Sequence, residues 1–188
     1  MSNVEAVPTS HLHPKFQKLA CTHWMQDIAP RQINHFLTVS LMSPQADVDP
    51  EKWNIRTAAQ REDLIEDIIR RFDKRFYGRN HMNIDDASKF PFIMLEETRD
   101  KRHNPTFAHI HGALEFGQSE MSRFPSKCSK ICADIEKLVR NRGLEPNVII
   151  QSADQGVVDY ISKNALFGVE TINTRATINK KVTEPVSS

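Results

Sequence analysis

The chain predicts an α+β fold: an antiparallel sheet with helices on one of its faces. Three observations carry that expectation. Residues 35–41, 90–97 and 107–116 are short, apolar-rich runs, the first strictly alternating, as strands are. Two longer stretches, about 55–77 and 119–142, repeat apolar residues at three- and four-residue steps, as amphipathic helices do. The link from Thr98 to Asn104 is too short for a crossover, so the strands it joins must run antiparallel.

Taken in order, residues 1–13 are polar. Residues 14–28 suggest a short helix that Pro30 ends. The first strand, HFLTVSL, puts Leu37, Val39 and Leu41 on one face and Phe36, Thr38 and Ser40 on the other. A loop over 43–50 leads to the first long helix, with Leu64, Ile65, Ile68, Phe72 and Phe76 as its stripe and Gly78 as its C-terminal cap. A polar loop over 80–89 precedes the second strand, which starts at Pro91 and ends in Glu96-Glu97. The third strand is FAHIHGALEF. Ser119, Glu120 and Pro125 open the second long helix, Cys128, Ile131, Cys132, Ile135, Leu138 and Val139 form its stripe, and Gly143 stops it. A fourth strand over 147–151, a short helix over 157–166 and a polar tail from Gly168 complete the chain. This divides it into an N-terminal extension (1–34), a βαββαβ domain with a last helix (35–167) and a C-terminal tail (168–188). In that order the first and third strands lie centrally. Thr38, Ser40, His109 and His111 then share the face away from the helices, an open one.

Composition narrows the function classes. With 39% apolar and 26% charged residues and a formal net charge of +1, the chain is an ordinary globular one, and any nucleic-acid contact must come from local patches. It carries neither an apolar run of membrane-spanning length nor an N-terminal signal sequence. Three cysteines, Cys21, Cys128 and Cys132, make no disulfide framework and suit a reducing compartment; Cys128 and Cys132 read as helix packing rather than a zinc site. Lys127, Lys130, Lys137 and Arg140 line the polar side of the same helix, a pattern more often a solvated face than a DNA contact.

The chemistry-bearing residues begin with His109 and His111. Two residues apart on a strand, they point to one face, roughly 6.6 Å apart along it. Two imidazoles there are half a metal site, and a neighbouring carboxylate would add a third ligand. Glu96 and Glu97 lie across the hairpin, and alternation lets only one of them face the histidines. A second pair, His11 and His13, sits between Ser10 and Pro14 with no apolar strand around it, so context and not the pair carries the reading. Tyr160 and Lys163 are three apart on a helix and therefore neighbours. A phenol with an ordinary pKa near 10 attacks only when activated, which a cation and a metal-polarised phosphate provide.

A strand FLTVSL, then HIH on a later strand, then YISK on a helix resembles the HUH endonuclease family, and within it the single-tyrosine rolling-circle replication initiators of small plasmids and circular single-stranded DNA viruses. The resemblance covers residues 35–166. It implies an RNA-recognition-like, ferredoxin-like sheet that nicks and rejoins single-stranded origin DNA, hairpins included. His109, His111 and a glutamate would bind Mg²⁺ or Mn²⁺. Tyr160 would form a 5′-phosphotyrosine link, and Lys163 would position the phosphate or stabilise the phenolate. Relatives with a Glu-Glu pair use the second as ligand, which favours Glu97. Alternation would then put Ile93 and Leu95 on the open face, so Glu96 remains an alternative. Thr38, Ser40, Lys127 and Lys130 are the candidate DNA contacts. No GxxxxGK[ST] motif is present, so a host or separately encoded helicase would unwind the duplex. The implied location is the bacterial cytoplasm, or the host nucleus for a viral protein. The rivals are a single-tyrosine transposase of the same superfamily, a zinc metallohydrolase, and a non-catalytic single-strand binder. The last would want stacking aromatics that the open face offers only at Phe107 and Phe36.

Overall fold

Alternation along β1 (His35–Met42) buries Leu37, Val39 and Leu41, and the same period along β3 (Pro105–Leu114) buries Ala108, Ile110 and Leu114 against one shared core. A computed structural model of the protein describes residues 32–45, 47–100, 102, 104–154, 156–157 and, for the backbone alone, 169–175. The helix expected over 14–28 and the part of the helix expected over 157–166 that would carry Tyr160 and Lys163 lie outside the described residues. Between β1 and β3 come α1 (Pro50–Arg56), α2 (Ala58–Arg61), α3 (Leu64–Tyr77) and β2 (Phe92–Arg99). After β3 come α4 (Gln118–Asn141), β4 (Glu145–Ser152) and β5 (Val169–Arg175). The sheet order is β4-β1-β3-β2-β5, antiparallel at every pairing, with β1 next to β3 as expected.

The helices lie on one face. Ile65, Ile68, Ile69 and Phe72 of α3 and Ile131, Ile135 and Val139 of α4 join Leu37, Val39, Met94 and Ile110 of the sheet in one buried cluster. Gly112 lets the sheet close up there. A Cβ at that position would stand 3.1 Å from Met94 Cγ and 3.3 Å from Leu37 Cβ. Gly78 takes the left-handed φ of +79° that ends α3.

Four differences from the expected elements have physical causes. The helix expected over 55–77 is three helices. Asp49 caps α1 through its carboxylate, Thr57 closes it, and Asp63, at φ 56°, breaks the chain before α3. Arg61, the last residue of α2, is buried. Within the polar loop over 80–89, His81–Asn83 and Asp86–Ser88 form 3₁₀ turns. Pro125 does not open α4 but lies inside it, at an exposed position. Finally, the supposed tail from Gly168 contains β5, which pairs with β2 from Phe92↔Arg175 to Glu97↔Val169. The sequence VETINTR carries four β-branched residues among polar ones, and pairing to β2 outweighs that polarity.

Candidate metal centre

The β2–β3 register decides between the two glutamates. Glu97 stands opposite His109 and Leu95 opposite His111, so Glu97 shares the histidines' face. Glu96 stands opposite Ile110 and points into the helix side. There the Arg61 guanidinium meets it, Nε to Oε1 at 2.5 Å, both side chains buried. Arg61 also donates from Nη1 to the Asn54 carbonyl at 2.8 Å and to Thr57 Oγ1 at 2.6 Å. Glu96 is thus committed to a buried ion pair, and Glu97 is the glutamate on the histidines' side of the sheet.

Glu97, His109 and His111 each bring a ligand atom to within 4.8 Å of the others. His111 Nε2 lies 3.8 Å from Glu97 Oε2. Ligand bonds of about 2.0–2.2 Å require donors only slightly closer together than this. Burial pushes both imidazoles towards the neutral, ligating form. It lowers His109, partly offset by hydrogen bonding to the backbone at Phe107 and Ala108, and it takes His111 down to about 4, with the neighbouring His109 adding to the effect. Two neutral imidazoles and one carboxylate, Glu97 and His111 buried and His109 half-buried, fit a divalent cation and leave coordination positions for water or a substrate oxygen.

Each ligand is held by its strand and by a neighbour. Thr38 stands opposite His111 and Ser40 opposite His109, on the same face as expected. Thr38 Oγ1 lies 3.3 Å from His111 Nδ1. The Phe36 ring stacks on His111 at 5.3 Å between centroids and 10° between planes. Just before His109 the β2–β3 register shifts, between Glu97↔His109 and Arg99↔Pro105. There the Asn54 side chain takes over part of the ladder. Its Nδ2 donates to the Thr106 carbonyl at 2.7 Å and its Oδ1 accepts from the Ala108 amide at 3.0 Å. Asn54 and Arg61 were not singled out in the sequence, and Phe36 was named only as an aromatic that could stack on a nucleic-acid base. A polar residue next to Trp53 in α1 was the one signal Asn54 gave.

One expectation about the site needs correction. The face is not open: Phe36, Ile93, Leu95, Glu97, His111 and Ala113 on it are all buried, while Thr38, Ser40 and His109 are partly exposed. Apolar residues in these rows favour withdrawal from water over exposure. Lys127 and Lys130 lie away from the histidines, because α4 covers the opposite face of the sheet. Lys127 Nζ donates to the Arg75 carbonyl at 2.6 Å, and Arg123 Nη1 to the Phe76 carbonyl at 2.8 Å, so these cations satisfy the C-terminal end of α3. Cys128 and Cys132 are free thiols at the half-buried margin of the α4 stripe.

The depressed histidines make a stability prediction for the metal-free protein. The unfolded chain takes up a proton at His111 below its ordinary value of 6.5, whereas the fold resists until about pH 4. Stability is therefore full above pH 6.5 and falls as pH drops towards 4, by about 3 kcal/mol from His111 at roughly 1.4 kcal/mol per pH unit. Urea titrations across that range check it, and His111→Gln should flatten the dependence.

The chain matches no protein-family model, no curated protein and no solved structure. Among the described residues, no helix is long and apolar enough to cross a membrane.

Proposed function

We propose that the chain is a metal-dependent nickase and strand transferase for single-stranded DNA, a single-tyrosine initiator of rolling-circle replication. The observation that carries this reading is the cluster of Glu97, His109 and His111 on the middle strands of an antiparallel sheet, beside the first strand's Thr38 and Ser40. The order of FLTVSL, HIH and YISK along the chain supports it.

Bound by these three residues, Mg²⁺ or Mn²⁺ would polarise the scissile phosphate as a Lewis acid. The residues of the chain do the rest. His109 and His111 stay neutral through burial, and Glu97 supplies the negative charge of the donor set. The Tyr160 oxygen attacks phosphorus, the bond from phosphorus to the 3′-oxygen breaks, and the phenol's proton ends, through water, on the departing 3′-hydroxyl. The products are a 5′-phosphotyrosine and a free 3′-end that primes synthesis. Lys163 favours the phenolate and steadies the phosphate. Attack by a 3′-hydroxyl on the phosphotyrosine reverses the step and joins strands. Ser40, partly exposed on the site face, contacts the DNA strand; unwinding falls to a separately encoded helicase.

The test uses a random-core pool of single-stranded oligonucleotides with Mn²⁺. Wild type is expected to yield an adduct that survives denaturation, and both EDTA and Tyr160→Phe to reduce it at least a thousandfold, on the order of the loss seen when a nucleophile is removed. An equal adduct from Tyr160→Phe, or cleavage that persists in EDTA, contradicts the reading.

A further inference from the structure

We infer that Thr38 is a positioning residue for the metal centre: its hydroxyl accepts a hydrogen bond from His111 Nδ1–H and so holds the Nε2 lone pair towards Glu97. This rests on the metal-site reading above and gives Thr38 a role other than contact with DNA.

Three contacts on different sides of the His111 ring define its orientation. Thr38 Oγ1 is 3.3 Å from Nδ1. Nε2, on the other side of the ring, is the nitrogen 3.8 Å from Glu97 Oε2. The Phe36 ring lies nearly parallel over the imidazole, 10° between planes, which blocks rotation about the side chain. A neutral imidazole has one N–H and one lone pair, so the partner of one nitrogen determines what the other offers. With the hydroxyl accepting a hydrogen bond from Nδ1–H, the proton stays on Nδ1 and Nε2 keeps its lone pair for the metal. The hydroxyl thus plays the part that carboxylates and carbonyls commonly play behind metal-bound histidines.

The pairing is built into the sheet. Thr38 and His111 are direct cross-strand partners in the β1–β3 ladder, so the two side chains rise from the same face at the same level. Phe36, two residues earlier on β1, shares that face. Ser40, not Thr38, stands opposite His109. A substitution at Thr38 therefore removes the hydroxyl at His111 Nδ1 and leaves the residue opposite His109 unchanged.

The test compares wild type, Thr38→Val and Thr38→Ser. Valine keeps the shape and strand preference of threonine without the hydroxyl, and serine keeps the hydroxyl. Calorimetric titration with Mn²⁺ alone is expected to show affinity roughly 10–100-fold weaker in Thr38→Val and close to wild type in Thr38→Ser. Nitrogen-15 spectra of the metal-free protein supply a readout that a change in packing would not imitate. His111 in wild type and Thr38→Ser should carry its proton on Nδ1, and in Thr38→Val it should shift towards the Nε2–H form. Equal Mn²⁺ affinity in wild type and Thr38→Val, or an Nε2–H tautomer in wild type, overturns the role of Thr38. If wild type itself binds no Mn²⁺ while its His111 carries the proton on Nδ1, the metal-site reading fails and the role of Thr38 towards a metal falls with it.

Discussion

An Arg61→Met variant is expected to lose about 3–5 kcal/mol of stability, the usual result of leaving one charge of a buried pair without its partner. Glu96 is 5% exposed and Arg61 equally so, which leaves little room for water to replace the lost guanidinium. Arg61 also joins the Asn54 carbonyl and Thr57 to the sheet, so its removal loosens the junction of α1 and α2 as well. A fall in the urea midpoint measures the effect. Arg61→Met combined with Glu96→Leu should recover much of the loss, because an apolar pair of similar bulk no longer buries an uncompensated charge. If Arg61→Met is as stable as wild type, the pair is not the anchor described.

The adjacent residue should behave in the opposite way. Glu97→Gln is expected to weaken Mn²⁺ binding by more than the roughly 100-fold that changes to outer partners of a metal site produce, since it removes a ligand and its charge. The metal-free protein should fold as well as wild type or better, because a carboxylate 2% exposed is replaced by a neutral amide. Calorimetric titration with Mn²⁺ and a urea midpoint on the same sample separate the two quantities. One glutamate is thus expected to govern folding and its neighbour metal binding. A Glu97→Gln protein that binds Mn²⁺ like wild type would remove this residue from the site.

That division was only half legible in the sequence. Strand alternation put His109 and His111 together with Thr38 and Ser40, and the register bears this out. The choice between Glu96 and Glu97 stayed open because alternation also placed Ile93 and Leu95 on the Glu97 side, an odd composition for an open face. The face is instead buried over those residues, and burial is a tertiary property that a local pattern does not report. The partner that withdraws Glu96, Arg61, sits 35 residues away in a stretch that reads as continuous helix. It lies at the end of a separate four-residue helix, Ala58–Arg61, which the sequence does not distinguish from the helix that follows. Lys127 illustrates the reverse error. On a helical wheel it looks solvated and available, yet it closes the carbonyl end of α3, a use visible only once the two helices are packed together. β5 was hidden by its polar residues, since its β-branched content counts for little until β2 offers an edge to pair with.

The most direct measurement is to locate the covalent bond. After reaction with Mn²⁺ and single-stranded DNA, nuclease and protease digestion followed by mass spectrometry should find the residual nucleotide on the peptide containing Tyr160 and nowhere else. Nucleotide on another residue, or cleaved DNA with no nucleotide on the protein, would contradict phosphotyrosine chemistry here.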